Sequence, residues 1–181
     1  MKNKAVFFDR DGTINIDKEY LYKIEDFEFE TGVTDTLKYL YRKGFKLIII
    51  SNQSGVARGY FTVSDVEKLH DHIKKRAADF GFEITAIYYC PHYAKGIIKE
   101  YSIECGCRKP GTGLIEKAIK DHNIDVKKSF MIGDKESDIL AGKNAGLKTV
   151  LVGTGYGKET LKTCRDYDYY FENISELKTI I

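Results

Sequence analysis

Five short apolar runs, at residues 5–8, 46–50, 84–89, 130–132 and 149–152, recur along this chain of 181 residues, with room for at least one helix between most neighbours. They are rich in β-branched and aromatic side chains, too brief for helices, and apolar enough to be buried on both faces, as strands of a parallel sheet are. Between them Val33, Leu37, Leu40 and Tyr41 trace one helical stripe. Val66, Leu69, Ile73, Ala77 and Phe80 trace another, which starts after Thr62 with Asp65 three residues on, the spacing of a capping box. Helices are also expected at about 113–122 and 137–145. Such alternation predicts an α/β fold, a three-layer doubly wound parallel sheet with right-handed crossovers, in one domain over residues 1–181.

Basic and acidic side chains number 29 and 27 and are mixed without long blocks, which argues against nucleic acid or an anionic membrane as the main partner. Four apolar residues precede Asp9, too few for a signal-peptide core, and no run is long enough to cross a membrane. The expectation is a soluble, cytoplasmic monomer acting on a small molecule.

The chemistry lies at the strand ends. Asp9 and Asp11 stand where the first strand breaks into the turn at Gly12, although Asp-x-Asp-Gly taken alone also reads as a solvated turn. After the second strand, Ser51, Asn52, Gln53, Ser54 and Gly55 offer hydroxyl, amide and backbone donors suited to an anion. Arg108 and Lys109 precede Pro110, and the fourth strand runs into Gly133-Asp134-Lys135-Glu136-Ser137-Asp138. In an open parallel sheet these segments meet at one edge. Asp9, Asp11 and Asp134 suit Mg2+, which favours a few carboxylates, waters and a substrate phosphate. Ser51 and Lys109 would neutralise a transferring phosphoryl group, a carboxylate can attack phosphorus, and its neighbour can move the proton.

Cys90, His92, Cys105 and Cys107 make a C-x-H and C-x-C pair, a complete tetrahedral zinc set with no open position, hence structural Zn2+ in a loop at about 90–108. A disulfide or free thiols are the other readings of the same spacing. The stretch between the pairs carries little apolar mass, so a metal would shape it and fix Arg108 and Lys109. Cys164 has no partner in this scheme and reads as packing.

The strings DRDGT (9–13), SNQSG (51–55), CRKP (107–110) and GDKESD (133–138), taken in order, resemble the haloacid dehalogenase superfamily of phosphatases. The resemblance implies a Rossmann-like domain, with Asp9 as nucleophile, Asp11 as general acid and base, and Ser51 and Lys109 on the phosphoryl group. It also implies Mg2+ held by Asp9, Asp134 and the main-chain carbonyl of Asp11. Asp138 either supports the metal's waters or faces solvent. Within the superfamily the pattern looks like the phosphatases of heptose 1,7-bisphosphate in nucleotide-activated heptose biosynthesis, with the histidinol-phosphate phosphatases next. That likeness puts the substrate against Asp17 and Tyr20, Asn52 to Ser54, the Arg58 loop, Arg108 and Lys135. It implies loss of the 7-phosphate through an aspartyl-phosphate, while Arg108 holds the other phosphate. Gly111-Thr112-Gly113 departs from the family in lacking a second proline. No insertion of domain length is present, so no large cap is expected. Histidinol-phosphate hydrolysis or another phosphomonoesterase activity remains the alternative, with phosphoryl transfer on another substrate behind it. A non-enzymatic module would have lost Asp9, Asp11 or Lys109, and all three are present.

Overall fold

The computed structural model describes residues 2–181. Six strands, β1 (Ala5–Phe8), β2 (Lys46–Asn52), β3 (Ala86–Cys90), β4 (Phe130–Gly133), β5 (Lys148–Val152) and β6 (Tyr169–Phe171), form one sheet in the order β3-β2-β1-β4-β5-β6. Every pairing is parallel, with Phe8 opposite Ile49 on one side and Ile132 on the other. Helices α1 (Val33–Arg42), α2 (Val63–Asp79), α3 (Gly113–Asp121), α4 (Glu136–Asn144) and α5 (Gly157–Thr163) connect the strands with two short 3-10 turns, and a third follows β6. This is the three-layer α/β architecture that the alternation predicts.

Strand periodicity explains the layers. Alternate residues of β1 point to opposite faces. Val6 and Phe8 join Leu37, Leu40, Leu69 and Ile73 from α1 and α2 in one buried cluster, while Ala5 and Phe7 join Ile115, Ala118 and Ala141 from α3 and α4 in the other. Beside the second, Cys164 is buried with Ile139 and Leu151. The capping box of α2 forms as expected, with Thr62 Oγ1 accepting from Asp65 N–H at 3.2 Å and Asp65 Oδ2 from Thr62 N–H at 2.9 Å.

Three expectations need correction. Tyr41 and Phe80, placed on the helical stripes, are 42% and 40% exposed, Tyr41 in the last turn of α1 and Phe80 at the C-cap of α2. The third strand spans 86–90 rather than 84–89 and is only half-buried, since it is an edge with a neighbour on one side alone. The Cys/His loop carries more apolar surface than expected, with Ile97 78% exposed. Among the described residues no helix is long and apolar enough to cross a membrane.

Strand order reverses between β1 and β4, and the main chain opens there into the crevice where open α/β sheets hold ligands.

Candidate active site

Asp9 follows β1 directly and its N–H donates to the Ile132 carbonyl at 2.9 Å, which pins it to the reversal point. Gly12 permits the turn beyond it. Its φ is +86°, and a Cβ there would sit 2.5 Å from Asp134 Oδ2, so the backbone passes where no side chain fits. Asp134 leaves β4 on the other flank, fully buried, with Oδ2 accepting from Tyr156 N–H at 2.8 Å.

Lys109 joins these elements. Its ammonium lies 2.7 Å from Asp9 Oδ1 and 2.7 Å from Asp138 Oδ1, and donates to the Ile50 carbonyl at 2.7 Å. Asn52, at the end of β2, fixes its main chain: Asn52 Nδ2 donates to the Lys109 carbonyl at 3.1 Å, and Lys109 N–H donates to Asn52 Oδ1 at 3.0 Å. Burial opposes the charge on Lys109, but Asp138 and Asp9 outweigh it and raise its pKa.

Asp138 does not face solvent. It is 1% exposed and completes a buried group with Asp9 and Asp134 in which carboxylate oxygens lie within 4.8 Å of one another. Within 3 Å the group meets one ammonium, Lys109, on Asp9 and Asp138, and Lys135 stands 3.9 Å from Asp134 Oδ2. Burial, with the charge on Asp9 next, pushes Asp134 up to about 8 and Asp138 up to about 6. Oδ1 of Asp134 is buried without a hydrogen-bond partner. A compact, oxygen-only, charge-deficient set fits a hard divalent cation.

The Asp11 side chain lies apart from that group. Burial raises its pKa, but Arg10, Asn15 and Gln53 outweigh it, so the net shift is downward and the carboxylate stays ionised. Arg10 Nη2 is 2.8 Å from Asp11 Oδ2, Asn15 Nδ2 donates to Oδ1 at 3.0 Å, and Gln53 Nε2 donates to Oδ2 at 3.0 Å. Gln53 also donates to Ser51 Oγ at 2.7 Å. Arg10 was not singled out from the sequence, yet it is completely buried and reaches Leu21 O and His70 Nε2 as well. Burial, with Arg10 next, drives His70 down to about 3, so it is neutral at pH 7. A charged residue inside a strand-end motif was the available signal for Arg10.

Above the carboxylates opens a cavity of about 500 Å³. Asp11, Asp17, Tyr20, Asn52, Gln53, Ser54, Arg108, Lys109 and Lys135 line it, together with Glu19, Ser137 and Tyr156, which the sequence reading had not selected. Lys135 Nζ is 3.5 Å from Asp17 Oδ2 and 3.9 Å from Asp134 Oδ2. Burial opposes its charge, but Asp9, Asp134 and Asp17 overcome this and raise its pKa. Among the expected sugar contacts Arg58 is the exception, stacking instead on Tyr93 with its guanidinium carbon 4.1 Å from the ring centroid, and Ser51, fully buried, does not line the cavity either.

Cys90, His92, Cys105 and Cys107 converge beside this cavity. Their Sγ atoms are 3.1, 3.1 and 3.5 Å apart, and His92 Nδ1 is 3.3 Å from Cys107 Sγ and 3.7 Å from Cys90 Sγ. A disulfide needs about 2.05 Å, so none links them. The separations approach the ~3.8 Å edges of a tetrahedron with Zn–S near 2.3 Å. The donor set therefore fits zinc. Arg108 Nη1 donates to the His92 carbonyl at 3.3 Å, which ties the cavity wall to this knot.

A family model described as "HAD-hyrolase-like" matches residues 106–177. The chain is 50% identical over 157 residues to the D-glycero-beta-D-manno-heptose-1,7-bisphosphate 7-phosphatase of Haemophilus ducreyi, covering 86% of each. It is 42% identical over 177 residues to the D-glycero-alpha-D-manno-heptose-1,7-bisphosphate 7-phosphatase of Campylobacter jejuni, covering 98% of this chain and 95% of the relative. The fold superimposes on the crystal structure of D,D-heptose 1,7-bisphosphate phosphatase from B. bronchiseptica, complexed with magnesium and phosphate. The TM-score is 0.87 at 27% identity, over 98% of this chain and 97% of the other. Sequence and fold agree: this chain belongs to the HAD-like phosphoric monoester hydrolases whose curated members are named heptose-1,7-bisphosphate 7-phosphatases.

Proposed function

We propose that this chain is a cytoplasmic, monomeric, single-domain enzyme that removes the 7-phosphate of D-glycero-D-manno-heptose 1,7-bisphosphate, in the supply of nucleotide-activated heptose. The observation that carries the reading is the buried Asp9–Lys109 pair, whose lysine opens onto a cavity with two further cations in its walls, Arg108 and Lys135. One phosphate needs the pair, and a second needs the wall.

An Asp9 carboxylate oxygen attacks phosphorus and the bond to the sugar oxygen breaks, with that oxygen taking a proton from Asp11. A water then gives a proton to Asp11 and attacks the aspartyl-phosphate, releasing phosphate and restoring Asp9. Asp11 is held in the ionised form that the second displacement uses. The first displacement uses its acid form, and the negative charge of an arriving phosphate favours that form. Lys109 and Ser51 bind the phosphoryl oxygens, while Asp17, Tyr20, Gln53, Ser54 and Lys135 orient the sugar. Asn52 acts through Lys109. We assign Mg2+ to Asp9, Asp134 and the main-chain carbonyl of Asp11, with Asp138 beside them. Bound there, it supplies neutralisation of the transferring phosphoryl group. We assign Zn2+ to Cys90, His92, Cys105 and Cys107 as a structural ion.

Initial rates on heptose 1,7-bisphosphate and histidinol phosphate, with metal analysis of the same preparation, test the substrate. A preference for histidinol phosphate would falsify it. Arg108→Ala is expected to raise KM for the bisphosphate about tenfold or more, and far more than for a small monophosphate, because a charge-assisted contact is lost. Equal effects on both would remove that role.

Magnesium affinity should depend on pH. Asp134 titrates near 8 when folded against 3.8 as a free side chain, so protonation stabilises the metal-free fold and this contribution is lost as pH rises through about 8. The cation displaces that proton. Its apparent affinity is therefore expected to rise about tenfold per pH unit between about 6 and 8 and then level off. Paired thermal melts with and without Mg2+ read this, and a stabilisation independent of pH contradicts the assignment of Asp134.

A further inference from the structure

Tyr93 has no part in the reaction as written above, yet both arginines near the cavity converge on it. It follows His92 and is fixed at both ends of its main chain: its N–H donates to the Tyr101 carbonyl at 3.0 Å, and its carbonyl accepts from Gly96 N–H at 2.9 Å. The guanidinium carbon of Arg58 lies 4.1 Å from its ring centroid and that of Arg108 5.5 Å away. Two cations gathered at one ring repel each other, and the negative ring face offsets part of that repulsion. Arg58 Nε is buried with no hydrogen-bond partner. The loop thus concentrates positive charge that the protein leaves incompletely matched.

The position of Arg108 gives that charge a direction. Arg108 and Lys109 line both the catalytic cavity and a second hollow of about 410 Å³, and Tyr93 lines the second. Arg108 therefore stands at the junction of the two, held by the Tyr93 ring and the His92 carbonyl. Arg58, which does not line the catalytic cavity, shares the same ring.

We infer that Tyr93 is a specificity-determining positioning residue: its ring sets Arg108, with Arg58 beside it, so that the Arg108 guanidinium meets the second anionic group of a sugar bisphosphate. This rests on the substrate reading above. Arg58 also hydrogen-bonds the Tyr93 side chain, whereas Arg108 meets its ring, so toward Arg108 the ring carries the role, and Arg108 is the residue through which it acts.

The test uses the full chain at matched metal content and compares kcat/KM for heptose 1,7-bisphosphate with that for para-nitrophenyl phosphate. Tyr93→Leu is expected to lower this ratio about tenfold through KM for the bisphosphate, while Tyr93→Phe keeps it within about twofold. Adding Tyr93→Leu to Arg108→Ala should change the ratio no further. Equal losses for Leu and Phe, a loss shared alike by both substrates, or multiplying losses in the double variant each overturn the inference. Tyr93→Met, also without a π face, takes the place of Leu if that variant does not fold. A wild-type enzyme with no preference for the bisphosphate overturns the substrate reading and this inference with it. A wild-type preference that survives Tyr93→Leu overturns the inference alone.

Discussion

Asp9→Asn is expected to give a folded protein whose hydrolysis of phosphate monoesters is reduced by about four orders of magnitude or more, the scale seen when a covalent nucleophile is removed. The amide keeps the size of the carboxylate and can still accept from Lys109, so the buried contacts at 2.7 Å need little rearrangement. The charge changes more than the shape. Asp9 is the leading charged neighbour that raises Asp134 and Asp138, and its neutralisation lets both fall toward the ordinary carboxylate range. Metal-free Asp9→Asn should therefore be at least as heat-stable as the wild type above about pH 8, where Asp134 is otherwise forced to ionise. Turnover, acid-quench trapping of a phosphoenzyme and thermal melts make up the measurement. Variant activity within a hundredfold of wild type would sink the nucleophile assignment.

Cys107→Ser should damage both stability and turnover. The loop from Tyr93 to Cys107 packs few apolar side chains; Ile97 is largely exposed, and its main chain and that of Ile98 are held by the single Ala57 carbonyl. Apart from hydrogen bonds within the loop, such as Tyr93 N–H to the Tyr101 carbonyl, and the packing of Tyr101, its cohesion comes from the Cys/His knot. Loss of a structural metal belongs to the few single changes worth about 4 kcal/mol or more, which for a chain of this size lowers Tm by about 10 °C or more. Arg108 and Lys109 follow Cys107 directly, so kcat and the KM for the bisphosphate should both worsen. Zinc content, Tm and kinetics on one preparation settle it. A zinc-free variant with wild-type Tm and turnover shows that the loop holds itself.

The parts of the molecule open to sequence reasoning were those where one physical requirement dominates. β1, β2, β4 and β5 are buried on both faces, so their apolar runs stand out, and the capping box of α2 is a local pattern formed by four consecutive residues. The strand-end motifs were legible because parallel topology brings Asp9, Asp134 and the end of β2 to one edge, where Asn52 receives Lys109. Less was visible where the tertiary neighbour decides. Asp138 sits one turn into α4, where a carboxylate normally faces solvent, and only the arrival of Lys109 makes it a buried partner. Arg10 looked like an unremarked spacer between two aspartates until α2 supplied His70 beneath it. Helix α5 has no apolar stripe and escaped the periodicity reading, though Thr160 on it donates to the Asp134 carbonyl at 2.8 Å. Arg58 was placed against the substrate through its loop, but a ring from a distant segment draws it aside.

The paired hydrogen bonds between the Asn52 side chain and the Lys109 main chain have a consequence for how this molecule can vary. The lysine is laid along β2 like a rung on a ruler, its backbone gripped at residue 52 and its tip at the carbonyl of residue 50. Two strand residues span about 6.6 Å, close to the reach of an outstretched lysine. Both anchor points belong to the sheet, so the stretch between the two Cys/His pairs, from 93 to 104, can change length or composition without moving the ammonium as long as the knot on either side of it is kept. New substrate preferences can be tried in that segment while the phosphate-transfer geometry is inherited intact.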